Sequence, residues 1–507
     1  MNKVFNWVKQ LPTLVPLITL SLFTPTALSA SVESYFNQVR NDPPLLREFL
    51  LGFPKGGELH THLDGAVYAE SYIRWAAEDG KCIELATYTV VFPPCDAAAK
   101  RPKVSDIQYN PDTVNEIIDA FSVRNYQRGP ESGHDQFFST FERYLNASTG
   151  RQGSMLAEVT ARAERQNTHY LETMVSYGMH EARTLIRESS SFDADKPLQE
   201  LVSNPQLDEL VQRTIRFTDQ VEEDWRSELA CAEDLQPPGC AVEVRYLAQV
   251  IRAFPLDQVL AQTLLAFKLI QRDPRFVGLN FVAPEDAPLT LRDYEAQMRI
   301  VQQVSQLIPS TPSGISLHAG ELALPLVAPR ELLNHIDQAV HIAGATRIGH
   351  GVDIIHENNA FELLRHMAAE KILVEINLTS NAVILEVEGD NHPFTLYREQ
   401  GVPLALSTDD EGVARIDLTH EYQRATQTYH LSYAYLKELS RNALAYSFLP
   451  GESLFASVPK AKKVRACAKQ KTHRALSDHC ASFLAENEKA RMQWQLEKRF
   501  AEFEANY

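Results

Sequence analysis

The chain has 507 residues, of which 44% are hydrophobic and 23% charged, a composition typical of a globular protein with a large core. Its formal net charge of −17 gives a surface that on average repels phosphate backbones and anionic lipid. Large nucleic acids are therefore excluded as partners, whereas small neutral substrates are not. The length would allow about three domains of ordinary size, but α/β barrels use about 250 residues or more as one.

The first thirty residues have the pattern of a secretory signal. Lys3 and Lys9 precede the apolar run LPTLVPLITLSLF, and small residues follow it in TPTALSA. This pattern predicts a signal peptide over 1–29 and an exported protein, periplasmic in a Gram-negative bacterium and otherwise secreted. An uncleaved anchor is the alternative, which the prolines and short length of the run disfavour. No later stretch approaches transmembrane length, so no span is predicted in the mature protein.

Six cysteines form three groups of two that are close in sequence. An even number of cysteines in an exported chain favours disulfides. Six cysteines can pair in about fifteen ways, and we predict the pairing that joins cysteines close in sequence. The predicted bonds are Cys82–Cys95, Cys231–Cys240 and Cys467–Cys480. A zinc site is the alternative for the last two cysteines, because His473 and His479 lie between them.

Eight short apolar runs alternate with longer helical patterns, which are clearest over 256–271 and 331–343. Strands that alternate with helices predict a parallel sheet, and eight of them predict a closed (β/α)8 barrel of the TIM type. The predicted strands are 57–63, 169–177, 242–251, 276–282, 314–320, 346–352, 372–378 and 402–408.

Two connections between the predicted strands are long. Residues 66–168 are predicted to form a largely helical insertion after the first strand, and 178–241 a polar, acidic insertion after the second. Residues 460–507 are charged and helix-prone, so we expect a C-terminal helical appendage after a barrel region of 31–459. Long insertions commonly cover an active site or form an interface, and the sequence leaves a homodimer open.

Titratable side chains cluster where four of the predicted strands end, in the segments HTHLD, HAGE, GHG and TDD. Catalytic groups of a barrel of this type lie at the carboxyl ends of the strands. Four such clusters favour one shared site over four unrelated structural roles. The clustered side chains are His60, His62, Asp64, His318, Glu321, His350, Asp409 and Asp410.

Some of these side chains fit a metal site. His60 and His62 lie two residues apart on a strand, point to the same side and can present two nitrogens to one ion. With His318 and Asp409 they would supply three imidazoles and one carboxylate, a set that suits Zn²⁺ with an open position for water. We therefore predict one zinc ion per chain bound by these four residues, with Glu321 left to move protons.

The segments PKGGELHTHLDG, SLHAGE, RIGHGV and STDDEGV, in this order, resemble the motifs of the adenosine deaminase family of metallo-dependent hydrolases. VGLNFVAPED and the stretch EYQRATQTYHLSYAYLKELSRNALAYSFL are also similar to its members, and the resemblance covers roughly residues 50–455. With its predicted signal and acidic insertion, the chain more closely resembles the secreted adenosine-deaminase-related growth factor branch of the family. The resemblance implies hydrolytic deamination of adenosine, and of 2′-deoxyadenosine, to inosine and ammonia.

The resemblance also implies a role for each residue beyond the metal set. Glu321 would protonate the purine ring nitrogen beside the amino carbon, and His350 would act on the attacking water. Asp410 would contact the imidazole-ring nitrogen of the purine, and Asp64 would receive a ribose hydroxyl. A purine ring nitrogen only accepts hydrogen bonds, so Glu321 and Asp410 must carry protons when substrate binds. Burial predicts a raised pKa for Glu321.

Three positions depart from the family pattern. Ala283 occupies the place of a glycine whose backbone N–H meets the purine edge, and we expect its Cβ to fit if φ is negative. Glu411 replaces a proline and is expected near the site mouth, and Asn280 stands where an aspartate is common. None of the three belongs to the predicted metal set, so the departures bear on substrate choice.

Two other functions are compatible with the sequence. A deaminase or hydrolase of the same barrel type would act on a modified nucleoside or another heterocycle. A non-enzymatic secreted binding or signalling protein would retain the barrel alone. The complete set of candidate residues favours an enzyme over the second alternative.

Overall fold

The computed structural model describes six segments of the chain, so the predicted signal peptide, 1–29, lies outside the described residues. No helix in those segments is long and apolar enough to cross a membrane. The described segments are 31–129, 131–190, 192–194, 196–233, 237–309 and 314–507.

Eight parallel strands form the central sheet, and each pairs with the next one along the chain. A bridge between Thr61 and Asp409 joins the end of the last strand to the first, so the sheet nearly closes into the predicted (β/α)8 barrel. The barrel strands are β1 (Gly56–His62), β4 (Thr168–Val175), β5 (Glu243–Ile251), β6 (Phe276–Val282), β7 (Gly314–Ala319), β8 (Arg347–His350), β9 (Leu373–Ile376) and β10 (Leu404–Leu406). The other strands form two antiparallel hairpins, β2 (Cys82–Glu84) with β3 (Thr89–Val91) and β11 (Phe455–Ser457) with β12 (Lys462–Lys463).

Helices surround the barrel and fill the insertions. In the first half of the chain they are α1 (Val32–Val39), α2 (Pro43–Gly52), α3 (Leu63–Ala66), α4 (Ala69–Glu78), α5 (Val104–Ile107), α6 (Pro111–Ala120), α7 (Gly133–Ser148), α8 (Gln152–Arg165), α9 (Met179–Glu188), α10 (Leu198–Val202) and α11 (Pro205–Glu228). In the second half they are α12 (Leu256–Arg272), α13 (Pro288–Leu307), α14 (His335–His341), α15 (Ala360–Glu370), α16 (Leu378–Ile384), α17 (Phe394–Gln400), α18 (Glu411–Ala414), α19 (Leu418–Tyr429), α20 (Tyr433–Ala445), α21 (Asp478–Glu486) and α22 (Glu488–Glu504). Short 3₁₀ turns occupy Tyr126–Arg128, Pro329–Leu332, Ile354–His356 and Gly389–Asn391.

The eight predicted strands are confirmed, with ends that move by a few residues. The predicted strand 402–408 is reduced to β10, although the Ser407 N–H still donates to the Ile376 carbonyl of β9 at 3.0 Å. The predicted helix 256–271 is observed as α12. The predicted helix 331–343 is instead a 3₁₀ turn followed by α14, whose first turn is held by Glu357 accepting a hydrogen bond from the Ile336 N–H at 2.6 Å.

The segment between β1 and β4 packs over the carboxyl ends of the strands. Helix α7 begins at Gly133, where a Cβ would lie 2.0 Å from the Val383 carbonyl oxygen after β9. The next residue, His134, places Nε2 3.1 Å from Asp286 Oδ1 after β6. These contacts tie the insertion to two barrel loops and help to shield the site from solvent.

The C-terminal residues cover the opposite end of the barrel. Phe448 packs against Gly278 and Gly314, near the starts of β6 and β7. The Met492 carbonyl of α22 lies 3.5 Å from Nε2 of His169, near the start of β4. A small second core lies beside this contact and consists of Leu454, Phe455, Val458, Cys467, Cys480, Leu484, Ala490 and Trp494.

All three predicted disulfides are confirmed. They join Cys82 to Cys95, Cys231 to Cys240 and Cys467 to Cys480. The third bond lies in the second core, and it excludes the alternative of a thiolate zinc site there.

Candidate active site

The four predicted metal ligands converge at the carboxyl ends of the barrel strands. One ligand atom from each of His60, His62, His318 and Asp409 lies within 4.8 Å of all the others, and all four residues are buried. The backbone accounts for part of this arrangement. The His62 N–H donates to the Asp409 carbonyl at 3.0 Å, and the Asp409 N–H donates to the His60 carbonyl at 3.1 Å. The bridge that closes the barrel therefore places three of the candidate ligands side by side.

Each of the three imidazoles is oriented through Nδ1 by a different oxygen acceptor. An Nδ1–H bonded in this way leaves the Nε2 lone pair available to a metal ion. The bonds run from His60 to Glu375 (2.7 Å), from His62 to Gln249 (2.9 Å) and from His318 to Asn280 (2.8 Å). His60 Nε2 is itself buried and lies 3.2 Å from Asp409 Oδ1, an atom of another candidate ligand. This donor set fits a divalent metal ion.

Two of these acceptors belong to one hydrogen-bond network. Ser316 Oγ donates to Glu375 Oε1 at 3.0 Å and accepts from Asn280 Nδ2 at 3.1 Å. Burial alone would raise the pKa of Glu375, but the charge of Arg347 and the bond from His60 hold it below its ordinary value. The orientations of His60 and His318 are therefore linked through residues that touch neither substrate nor metal.

The charges of the ligand set also suit a cation. Burial alone would raise the pKa of Asp409, but hydrogen bonds from His60 and His62 hold it well below its ordinary value. Burial alone would lower the pKa of His62, but the charges of Asp410 and Asp409 raise it to about 10. A metal ion that binds here displaces the His62 proton, so its affinity rises with pH.

Glu321 and His350 lie beside the metal set, and their ligand atoms are within 4.8 Å of each other and of an Asp409 oxygen. Burial, reinforced by the charges of Asp409 and Glu285, raises the pKa of Glu321 well above its ordinary value. The predicted shift is confirmed. Glu285 positions this acid, because its carboxylate accepts hydrogen bonds from the N–H groups of Gly320 at 3.0 Å and Glu321 at 2.9 Å.

A chain of hydrogen bonds determines which nitrogen of His350 carries the proton. The Phe394 N–H donates to His392 Nδ1 at 3.1 Å, so the proton of His392 is on Nε2, which donates to Asn381 Oδ1 at 3.1 Å. The Asn381 amide then donates from Nδ2 to His350 Nδ1 at 2.8 Å. Burial lowers the pKa of His350 to about 3. The ring is neutral, with its proton on Nε2.

Asp410 and Asp64 stand next to the metal set on the side of β1. The Asp410 carboxyl lies against Gly65, where a Cβ would be 1.5 Å from Oδ1, so only glycine fits there. Burial raises the pKa of Asp410 well above its ordinary value, and His62 opposes this shift. Burial also raises the pKa of Asp64.

Three non-glycine residues at strand ends adopt left-handed backbone conformations. They are Ala283 after β6 (φ 89°), His350 in β8 (φ 67°) and Asp409 after β10 (φ 64°). The condition of a negative φ, under which the Cβ of Ala283 was expected to fit, is not met. Its carbonyl accepts a hydrogen bond from Arg252 Nε at 3.2 Å, and Arg252 also donates to the His318 carbonyl at 2.9 Å. Strain of this kind persists where surrounding contacts determine the backbone.

Glu411, which was expected near the site mouth, directly follows Asp410 and points into the protein. Glu411 is only 4% exposed and accepts a hydrogen bond from Arg162 at 2.8 Å, which ties α18 to α8 of the insertion. Sequence reasoning missed three supporting residues, Gln249, Asn381 and Ser380, the last of which donates to Asp409 Oδ2 at 2.7 Å. A polar residue inside an apolar strand, as in LAQVI, is the signal that could have found Gln249.

Three histidines and an aspartate, buried at the carboxyl ends of a (β/α)8 barrel, define a metal-binding barrel. The model of the adenosine deaminase family matches residues 154–456, more than half of the chain. The chain therefore belongs to the adenosine deaminase family.

Individual relatives agree with this assignment. The adenosine deaminase of Shewanella loihica is 38% identical over 136 residues, which are 27% of this chain and 38% of that protein. The adenosine deaminase of Clostridium perfringens is 22% identical over 412 residues, which are 80% of this chain and 96% of that protein. Among solved structures, an N6-mAMP deaminase from Arabidopsis shares the fold, with a TM-score of 0.51, 20% identity and coverage of 80% of this chain and 96% of that one.

Proposed function

We propose that this chain is a zinc-dependent enzyme that hydrolyses adenosine and 2′-deoxyadenosine to inosine and ammonia. One observation carries the proposal. The four candidate metal ligands converge in a buried site, and a second group places Glu321 and His350 beside Asp409. Family membership supports a hydrolase that acts on a C–N bond.

Zinc is the proposed metal because three imidazoles and one carboxylate are ligands that it commonly takes in catalytic sites. His60, His62, His318 and Asp409 would hold one ion per chain. When bound, zinc lowers the pKa of a water molecule and so supplies a nucleophile at neutral pH.

Glu321 is the proposed general acid. Its raised pKa favours the protonated carboxyl, which can donate a proton to the purine ring nitrogen beside the amino carbon. Protonation there makes the adjacent carbon more electrophilic. His350 is neutral with its proton on Nε2, and we assign it the role of holding the attacking oxygen through that N–H.

The remaining polar groups are assigned to substrate binding. Asp410, also raised in pKa, would donate a hydrogen bond to the imidazole-ring nitrogen of the purine. Asp64 would accept a hydrogen bond from a ribose hydroxyl. The positive φ of Ala283 gives its backbone the conformation expected of the usual glycine, which supports a contact from its N–H to the purine edge.

The test is a deamination assay on purified protein, with and without a chelator. We expect adenosine to give the ultraviolet change of conversion to inosine, ammonia to appear in equal amount, and chelation to abolish both until zinc is returned. Ammonia from a modified nucleoside but not from adenosine would overturn the substrate assignment. No turnover across a nucleoside panel by zinc-loaded protein would overturn the enzyme assignment in favour of a binding protein.

Export is part of the proposal. The three disulfides support it, because such bonds persist in oxidising compartments. Fractionation of the native host, with sequencing of the mature amino terminus, tests it. We expect a chain that begins near residue 30 outside the cytoplasm, and a full-length cytoplasmic chain would contradict it.

A further inference from the structure

A strongly basic segment interrupts this acidic chain after the barrel. We call residues 459–474 the basic segment, and it contains seven lysines and arginines. No aspartate or glutamate occurs anywhere between 453 and 477, although the whole chain has a net charge of −17. The average charge therefore conceals one region of opposite sign.

The basic segment is held in a defined fold. Its first part forms the turn and second strand of the hairpin of β11 and β12, in which the Val464 N–H donates to the Leu454 carbonyl at 2.8 Å. The disulfide from Cys467 to Cys480 then anchors it to α21 inside the second core. These contacts fix the positions of the charges relative to the barrel.

Six of the seven cationic side chains are exposed. No ion pair joins any of the seven to an acidic side chain in the part of the chain that the structure describes. The nearby acids of α22 are already paired, Glu497 with Arg441 at 2.7 Å and Glu488 with Arg245 at 2.6 Å. The exposed cations are Lys460, Lys462, Arg465, Lys469, Lys471 and Arg474.

The basic segment adjoins the end of the barrel that is opposite the candidate active site. The second core contains Cys467 of the basic segment and Trp494 of α22. Lys463 Nζ lies 4.7 Å from the centre of the Trp494 ring. The same helix covers the amino ends of the strands, where the Met492 carbonyl approaches His169. A surface bound by the basic segment would leave the carboxyl ends of the strands facing away from it.

We propose that the basic segment docks the protein onto an anionic phospholipid surface. Five of its seven cations are lysines, which bind phosphate groups as point charges. The segment has no phenylalanine, tyrosine or tryptophan on which nucleic-acid bases could stack. Clusters of four to eight lysines and arginines that lie at a membrane surface bind acidic lipid headgroups.

Protection of a sheet edge does not account for the whole basic segment. Lysines on edge strands prevent edge-to-edge aggregation, but only Lys462 and Lys463 of the segment lie in a strand. The net negative charge of the chain repels an anionic membrane, but charges more than about 8 Å from the surface are screened at physiological salt. The exposed Leu476, beside the segment, adds an apolar contact with the membrane interface.

The experiment is vesicle co-sedimentation of the full mature chain. The probes are vesicles of phosphatidylcholine alone and of phosphatidylcholine with phosphatidylglycerol. The test variant is Lys460→Gln, Lys462→Gln, Lys469→Gln and Lys471→Gln together. The matched control neutralises four exposed cations elsewhere and is Lys100→Gln, Arg213→Gln, Arg216→Gln and Arg365→Gln.

We expect the unmodified chain to sediment with the anionic vesicles only and to be released by high salt. The test variant should lose at least 10-fold in apparent affinity, the control less than 2-fold, and both should retain full deamination of soluble adenosine. Equal losses in the two variants would overturn the assignment to this segment. Failure of the unmodified chain to bind anionic vesicles at low salt, or tighter binding to polyglutamate or DNA, would overturn the lipid assignment.

Discussion

The two ends of the barrel differ in whether buried carboxyl groups are paired with a cationic side chain. Toward the amino ends of the strands, Arg347 lies between Glu172 and Glu375, 2.6 Å from each carboxylate. At the carboxyl ends, Glu321 and Asp410 form no ion pair with lysine or arginine among the described residues, and the pKa of each is raised well above its ordinary value. Burial is the largest cause of both shifts.

A buried acid without a cation costs stability, so its retention indicates a partner that the chain itself does not supply. At the amino end the buried carboxylates are paired with Arg347 of the chain itself, so these residues stabilise the barrel. The carboxyl end keeps two acids of raised pKa, Glu321 and Asp410, and brings His60 Nε2 to 3.2 Å from Asp409 Oδ1, where a metal ion and a substrate can bind. Substitutions in the functional set, compared with buried counterparts outside it, test this difference between the two ends.

The largest expected effect is removal of a metal ligand. We expect His318→Ala to lose bound zinc and to reduce kcat by roughly 10³-fold or more, because metal activation of water contributes several kcal/mol. The control is His169→Asn at the amino end, also a buried histidine. Metal content and kcat measured together test the prediction, and zinc retained at one per chain in His318→Ala would contradict it.

Loss of the proposed acid comes next. We expect Glu321→Gln to lower kcat by about 10²- to 10⁴-fold with zinc content unchanged, because the amide cannot transfer a proton. The matched control is Glu421→Gln, a fully buried glutamate with a raised pKa that bonds to Thr379 instead. Near-normal turnover by Glu321→Gln would show that another group supplies the proton.

Glu421 also predicts how stability depends on pH. Burial raises the pKa of Glu421 from 4.5 to about 7, so between these pH values the unfolded chain loses a proton that the folded chain retains. Stability therefore falls as pH rises through this window, by roughly 3 kcal/mol from this group. Denaturant unfolding at several pH values should show that Glu421→Gln lacks this component, and parallel curves for the two proteins would refute the assignment.

A smaller effect separates the two carboxylates that share Arg347. Glu375 accepts a hydrogen bond from His60, whereas Glu172 bonds to Tyr170 and the Phe448 N–H. We expect Glu375→Gln to weaken zinc binding by about 10- to 100-fold, as loss of an outer hydrogen-bond partner does. Competition with a chelator measures this affinity, and an equal loss in Glu172→Gln would mean that the effect is one of folding.

The smallest effect concerns backbone strain. Alanine in a left-handed conformation costs about 1 kcal/mol or more, part of which glycine returns as conformational entropy on unfolding. We therefore expect Ala283→Gly to raise the free energy of unfolding by roughly 0.5–1 kcal/mol and to change kcat/KM by less than about 3-fold. A loss of stability would show that the methyl group packs favourably.

Much of the fold and of the metal set could be predicted from the sequence. Eight apolar runs of strand length predicted the barrel, and His60, His62, His318 and Asp409 were recognisable because each follows or ends such a run. The period of two along β1 was sufficient to place two histidines on one side.

The rest depended on contacts between distant parts of the chain. The polar side chain within LAQVI marks Gln249, but nothing local to Gln249 or Asn280 shows which imidazole each would orient. The bond from His62 to Gln249 joins β1 to β5, with β4 between them, and the bond from His318 to Asn280 joins the neighbouring strands β7 and β6. The burial of Glu411 could not be predicted, because its partner, Arg162, lies in the insertion. The φ of Ala283 is set by surrounding contacts such as that with Arg252 and not by the alanine itself.

The bridge between Thr61 and Asp409 has a consequence for assembly of the site. Two of the ligands come from the first barrel strand, and another follows the last, so the site is complete only when the ends of the barrel meet. The matched region 154–456 lacks β1, and a fragment limited to it could not bind metal through this set. During synthesis, zinc uptake would come late and would report that the barrel has closed. A bound ion would then link the first barrel strand to the residue after the last one. Between these two strands the described part of the structure has the bridge of Thr61 with Asp409 and no continuous hydrogen-bonded ladder.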